Sequence, residues 1–318
     1  MNARLASTAA LAGFFAITLP ARAADPQLLN LVMPDAAVLA GVNVDQAKTS
    51  TFGQFVISQV QTSDIQKLAA ATGFDPTRDV HEVLAATGPA GSKTGLALAR
   101  GTFNPAQIAA AAAAKGGTTT ETYGGITILE DQKQTHGVAF LNSTIAIAGD
   151  VASVKAAIDR QKTPSSLPAS VLVQINQWST TEDAWVISTV PPGTLHPASS
   201  TPSIPGVGPG AAANSALQTI QAAAGGVKFG DNVVVTAQAT SDNAQDAENL
   251  ANTVKLLAAV AQMQAQNNPA LQTLVKSLQV TNTGSIVNIS FSMPETQLQG
   301  ILTQHHADHV PARVQRKM

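Results

Sequence analysis

Apolar residues recur along this chain at two spacings, every second residue and every third or fourth, and the changes between them predict its elements. From Gly95 to Arg160 the succession is strand (Gly95–Gly101), helix (Asn104–Lys115), strand (Tyr123–Glu130), strand (Gly137–Gly149) and helix (Asp150–Arg160). Ile126 and Ile128, Val138 and Phe140, and Ile145 and Ile147 are each two residues apart, which puts each pair on one face of a pleated strand. Asn104-Pro105 opens the first helix, since an Asn side chain caps and a Pro ring is preset for the first helical position. Gly116-Gly117 stops it. Asp150 caps the second helix, in which Val151, Val154, Ala157 and Ile158 share a side.

The same grammar returns from Asn232 to His306. Val233, Val235, Ala237 and Ala239 alternate with Val234, Thr236, Gln238 and Thr240, and Ser241 and Asp242 cap a long Ala/Leu/Gln helix ending before Asn268-Pro269. Val287, Ile289 and Phe291 alternate with Asn288, Ser290 and Ser292, and a helix opens near Pro294. This pattern reads as a duplication. It predicts an α+β fold of two similar lobes, each a mainly antiparallel sheet with helices on one face, built from ferredoxin-like βαββα units. The lobes are either contiguous or laced together, with the strand at Trp185 completing the first unit and Val38–Val44 the second.

Ahead of the first unit, Val38–Val44 reads as a buried strand, and Thr51 caps a helix with Phe52, Phe55, Val56 and Val60 at helical spacing. A helix over Ser63–Thr72 ends at Gly73, and Asp75-Pro76 opens a short one with Val80, Val83 and Leu84 inward. The passage Gly73-Phe74-Asp75-Pro76-Thr77-Arg78-Asp79-Val80 into Gly95-Leu96-Ala97-Leu98 resembles a helix-to-strand passage in uncharacterised exported bacterial proteins, over about residues 30–160. That resemblance implies location and architecture and no activity.

The N-terminus agrees with export. Arg4 is a positive flank, Leu5–Leu19 an apolar run shorter than a membrane span, and Ala21-Arg22-Ala23 a small-x-small cleavage site. Residues 1–24 therefore read as a signal peptide, and a periplasmic or secreted chain cleaved near Ala23 is expected. The first repeat is then 25–162 and the second 163–306, parted at Lys162–Ser170, with 307–318 a disordered basic tail. Pro191–Asn214, rich in Pro, Gly, Ser and Ala, is long for a connection and reads as disordered. Ser215–Ala224 reads as helix. The chain has no cysteine, so its stability must come from its core. Charged residues are 12%, against roughly 25% in an average soluble chain. A net charge of −2 leaves no footprint for nucleic acid.

The chemical motifs are weak. Gly88-Pro89-Ala90-Gly91-Ser92-Lys93-Thr94 resembles a phosphate loop, but Ser92 interrupts the Gly-Lys-Thr and the order helix–loop–strand turns the amides the wrong way. His305, His306 and His309 are candidate metal ligands, set against the plainer reading of a solvated helix end with favourable basic residues. His81-Glu82 near Asp75 and Asp79 suits an acid/base pair, or ordinary capping and pairing. No serine sits in a Gly-x-Ser-x-Gly elbow. Thr236, Gln238, Thr240, Asn288, Ser290 and Ser292 form an uncharged polar sheet face, suited to solvent, another protein, a polysaccharide or the other half of this chain. With no nucleophile, base and orienting group together, no catalytic residue and no cofactor is assigned. The expectation is an exported, non-enzymatic binding, assembly or envelope-associated module with a protein or polysaccharide partner. The alternatives are a hydrolase whose Asp75, Asp79, Glu82 and Glu130 converge in space, and weak metal binding through the histidine tail.

Overall fold

The period-two runs form strands, and among the described residues these strands join one sheet. The computed structural model of the chain describes residues 23–60, 63–89, 91–194, 218–265 and 269–300. In chain order α1 (Pro26–Leu29) is followed by β1 (Val38–Asn43), α2 (Val44–Ala47), α3 (Thr51–Val60), α4 (Ser63–Thr72) and α5 (Pro76–Asp79). Next come β2 (Val80–Thr87), β3 (Gly95–Gly101), α6 (Pro105–Lys115), β4 (Thr118–Tyr123), β5 (Ile126–Asp131), β6 (His136–Phe140) and β7 (Ile145–Asp150). Then follow α7 (Val151–Lys162), α8 (Ala169–Thr181), β8 (Ala184–Ser188), β9 (Ile220–Lys228) and β10 (Asn232–Ser241). The last are α9 (Ala244–Gln264), α10 (Pro269–Ser277), β11 (Gln279–Thr283) and β12 (Ile286–Pro294). The strand order is β11-β12-β10-β9-β8-β1-β2-β3-β7-β6-β5-β4, antiparallel at every pairing.

Residues opposite one another share a face, and one row runs through all twelve strands. It reads Gln279, Ser290, Thr236, Gly226, Trp185, Gly41, Leu84, Leu98, Ile147, Ala139, Ile128 and Glu121. Its middle is the floor of the main core. Val154, Ala157 and Ile158 of α7, Val171, Ile175 and Trp178 of α8, and Leu28, Leu31 and Val32 from the N-terminal segment close over it. Gly41 is required there, because a Cβ would lie 2.5 Å from the Trp185 ring that crosses β1. The row turns polar and uncharged over β10–β12, and α9 packs on the opposite face, with Ala247, Leu250 and Ala251 against Ala239 and Val287. α6 also lies opposite α7, its Pro105 and Ala109 bordering a crevice with Thr127, Leu129 and Phe140.

The mixed helix and antiparallel sheet class stands, but several expectations are corrected. Helices cover both faces of the sheet. Trp185 pairs with Gly41 and Gly226, not with β3 or the strands from Tyr123 to Gly149, so the laced arrangement is not adopted. Val80–Leu84 is strand: α5 stops at Asp79, and the β-branched Val83 pairs with Val42 of β1 and Val80 with Gly101 of β3. Tyr123–Glu130 divides at Gly124-Gly125 (φ 60° and 88°), a two-residue hairpin loop that needs positive φ at both positions. Gly137–Gly149 likewise divides into β6 and β7, turning where Asn142 Oδ1 accepts from Thr144 N and Ile145 N. Ile220–Ala224 is strand because β10 pairs along it and β8 pairs with Ala223 and Ala224 from the other side, which overrides the helical preference of alanine. The caps of α3 and α9 are Ser50 and Asn243, not Thr51 or Ser241-Asp242. Residues 1–22, most of Pro191–Asn214, and His305, His306 and His309 lie outside the described residues.

Candidate functional site

The core floor changes character within one step along the strands. Two residues on from Leu98, Leu84, Gly41, Trp185 and Gly226 stand Arg100, Glu82, Asn43, Asp183 and Lys228. Arg100 lies opposite Glu82, and Glu82 opposite Asn43. Asn43 N donates to Asp183 O (2.8 Å), and Asp183 N to Val227 O (3.0 Å). Alternation therefore aims a charged or polar row at the place where the apolar floor ends. A cleft of ≈ 700 Å³ opens over it, bounded also by Ala24, Ser179 and Glu182 on one side and by Asp45, Gln46 and His81 on the other.

Most charged groups of the cleft already have partners. Asp25 caps α1 through Gln27 N (2.7 Å) and pairs with Arg100, whose Nη2 donates to Gln27 Oε1 (2.9 Å). Asp25 N donates to Glu82 Oε1 (3.0 Å), and Ala24 N to Ser179 Oγ (3.1 Å). Buried Asp183 accepts from Phe229 N (2.7 Å), and Lys228 donates to Thr181 O (3.1 Å) at the end of α8. On the outer rim Asp45 meets His81 Nδ1 (2.9 Å) and Lys48 (3.4 Å). Glu182 differs. Its Oε2 is buried without a hydrogen bond, burial raises its carboxyl above the ordinary range, and its side chain rests on Gly226, where a Cβ would evict it.

The four carboxylates considered for hydrolysis do not converge. Only Glu82 borders the cleft. Asp75 caps α5 through Thr77 N (2.9 Å) and is held low by the Thr77 hydroxyl and amide, and Asp79 is held low first by Arg78. Glu130 lies beneath α7, 2% exposed. His81 and Glu82 both border the cleft, on either side of a bulge in β2, but each is held by another group, His81 Nδ1 by Asp45 (2.9 Å) and Glu82 Oε1 by Asp25 N (3.0 Å). Residues 88–94 join strand to strand, with Gly88 N on Thr94 O (3.0 Å), a hairpin loop rather than a phosphate cradle. Among the described residues no group of three or more His, Asp or Glu is placed to hold a metal. Gln238 and Asn288 do meet on the polar continuation of the core face, Nε2 to Oδ1 at 3.0 Å.

The sequence missed Asp25, Arg100, Glu182, Asp183 and Lys228. One signal existed: Arg100 and Glu82 stand two residues beyond inward Leu98 and Leu84, in the inward phase of their strands.

No protein-family model and no curated protein matches the chain. Among solved structures the fold is similar to three crystal forms of TP0453, at 12% identity in each case. Form III aligns with a TM-score of 0.56 over 87% of this chain and 97% of that one, and form I with 0.55 over 88% and 98%. Form IV gives 0.53 over 86% and 96%. At that identity the likeness is one of fold. No helix among the described residues is long and apolar enough to cross a membrane.

Proposed function

We propose that this chain is an exported, non-enzymatic binding or assembly module that works in the periplasm or outside the cell and meets a protein or polysaccharide through its sheet faces. The observation that carries the reading is the state of the cleft: apart from Glu182 its charged groups hold one another and the backbone, and three of the four carboxylates suited to hydrolysis lie elsewhere. A catalytic site needs a nucleophile, a base and an orienting group held around open space. Export is supported by the tripartite N-terminus alone. Duplication is favoured by the wiring: on each side of the β1–β8 seam three strands meander outward, and a later hairpin adds its last strand, β7 or β12, to the third.

The test uses the chain beginning at Ala24, sedimented with an envelope fraction containing cell-wall polysaccharide and membrane proteins. Saturable binding is expected, weakened about tenfold or more by Gln238→Lys with Asn288→Lys, since two charges there must be desolvated on contact. Absence of binding contradicts the reading. So does turnover in a panel of ester, amide and glycoside substrates that Glu82→Gln abolishes.

A further inference from the structure

We propose that the acidic wall of the cleft receives the chain's own α-ammonium group, created when the export signal is removed between Ala23 and Ala24; this rests on the export reading above. Ala24 is 6% exposed, and its nitrogen already points at the last turn of α8, where it donates to Ser179 Oγ (3.1 Å). The C-terminal end of a helix carries unsatisfied carbonyls and the negative end of the macrodipole, so it favours a cation. Glu182 is the C-cap of that same helix and borders the same cleft, with one carboxylate oxygen lacking any partner. Glu82 stands beside the next amide, that of Asp25 (3.0 Å). Of the nearby cations, Arg100 is held by Asp25 and Gln27, and Lys228, whose charge also acts on Glu182, makes its hydrogen bond to Thr181 O.

A peptide N–H at Ala24 has one proton, and Ser179 takes it. An ammonium has three and a full charge, leaving two donors for carboxylate and helix-end carbonyl oxygens. Cleavage supplies that change. Hydrolysis by the exporting host's signal peptidase breaks the C–N bond, the hydroxyl of water stays on the Ala23 carbonyl carbon, and the Ala24 amine takes up a proton from solvent. Processing then sets a counter-charge into the cleft, and the processed chain is more stable than one whose Ala24 nitrogen stays acylated.

The experiment compares four proteins by thermal melting: the chain beginning at Ala24 with a free or an acetylated amine, each as the parent and as Glu182→Gln. Acetylation is expected to lower Tm by about 2–4 °C in the parent, the shift one such contact causes in a chain of this size. In Glu182→Gln the loss should fall below half of that, because a double-mutant cycle isolates the coupling. Equal Tm values with and without acetyl, or the same loss in both backgrounds, overturn the proposal. Should Glu182→Gln fail to fold, Glu82→Gln replaces it with the same criteria. Mass spectrometry of the exported protein separates the two readings. An intact Met1 sinks the export reading, and a mature chain starting at a residue other than Ala24 overturns this proposal. A start at Ala24 without coupling leaves export standing and removes the receptor.

Discussion

Glu130 shows how a single residue is governed by its place in the sheet. Its row neighbours are Thr119 and Gly137, and α7 closes over it, leaving Oε1 with no hydrogen-bond partner. Burial, then Glu121 beside it, push its carboxyl above the ordinary value of 4.5. Glu121 stays low because Lys155 holds it at 2.7 Å. The folded chain therefore binds a proton at Glu130 that the unfolded chain releases first, so stability falls as pH rises from that ordinary value through the raised one. Glu130→Gln should remove this decline and be the more stable protein at neutral pH. Urea unfolding of both proteins between pH 4 and 8 checks it, and parallel profiles would show that Glu130 has an ordinary titration.

Among the elements, α7 is fixed at its start by one carboxylate with two tasks. Asp150 Oδ1 accepts from Ser153 N (2.9 Å) as N-cap, and Oδ2 accepts from Gly95 N (2.9 Å) at the start of β3. Asn104 only caps α6, through Gln107 N (3.2 Å). Loss of a cap costs about 0.5–2 kcal/mol, and a part-buried amide left unpaired adds about 1–3. Asp150→Ala should thus destabilise by about 2–4 kcal/mol and Asn104→Ala by about 1 kcal/mol. Equal losses in denaturant unfolding would mean that the Gly95 contact carries nothing. Both caps were legible as Asp or Asn ahead of an apolar periodic run. The hairpin at Gly124-Gly125 was legible too, but the apolar alternation on either side of it reads as one strand unless the turn residues are given priority.

For the whole molecule, the alternating runs were visible in the sequence and their neighbours were not. Strand pairing is non-local, and nothing in Val38–Asn43 or Ala184–Ser188 states that these two lie side by side at the centre of the sheet. The cleft was hidden for the same reason: Arg100, Glu82, Asp183 and Lys228 form a row only when the order β3-β2-β1-β8-β9 is known. That order runs the sheet across Lys162–Ser170, and the main core takes Trp178 and Trp185 from beyond it together with Leu84, Leu98 and Ile147 from before it. The main core therefore closes only when 25–162 and 163–306 meet, whereas the smaller core under α9 lies within the second half. The most direct measurement is calorimetric unfolding of the chain beginning at Ala24, followed in parallel by tryptophan fluorescence, which reports the β1–β8 seam, and by far-UV circular dichroism. One transition is predicted, with coincident midpoints and equal calorimetric and van't Hoff enthalpies. Two resolved transitions, or fluorescence changing well before the ellipticity, would contradict a single sheet that unites the two halves.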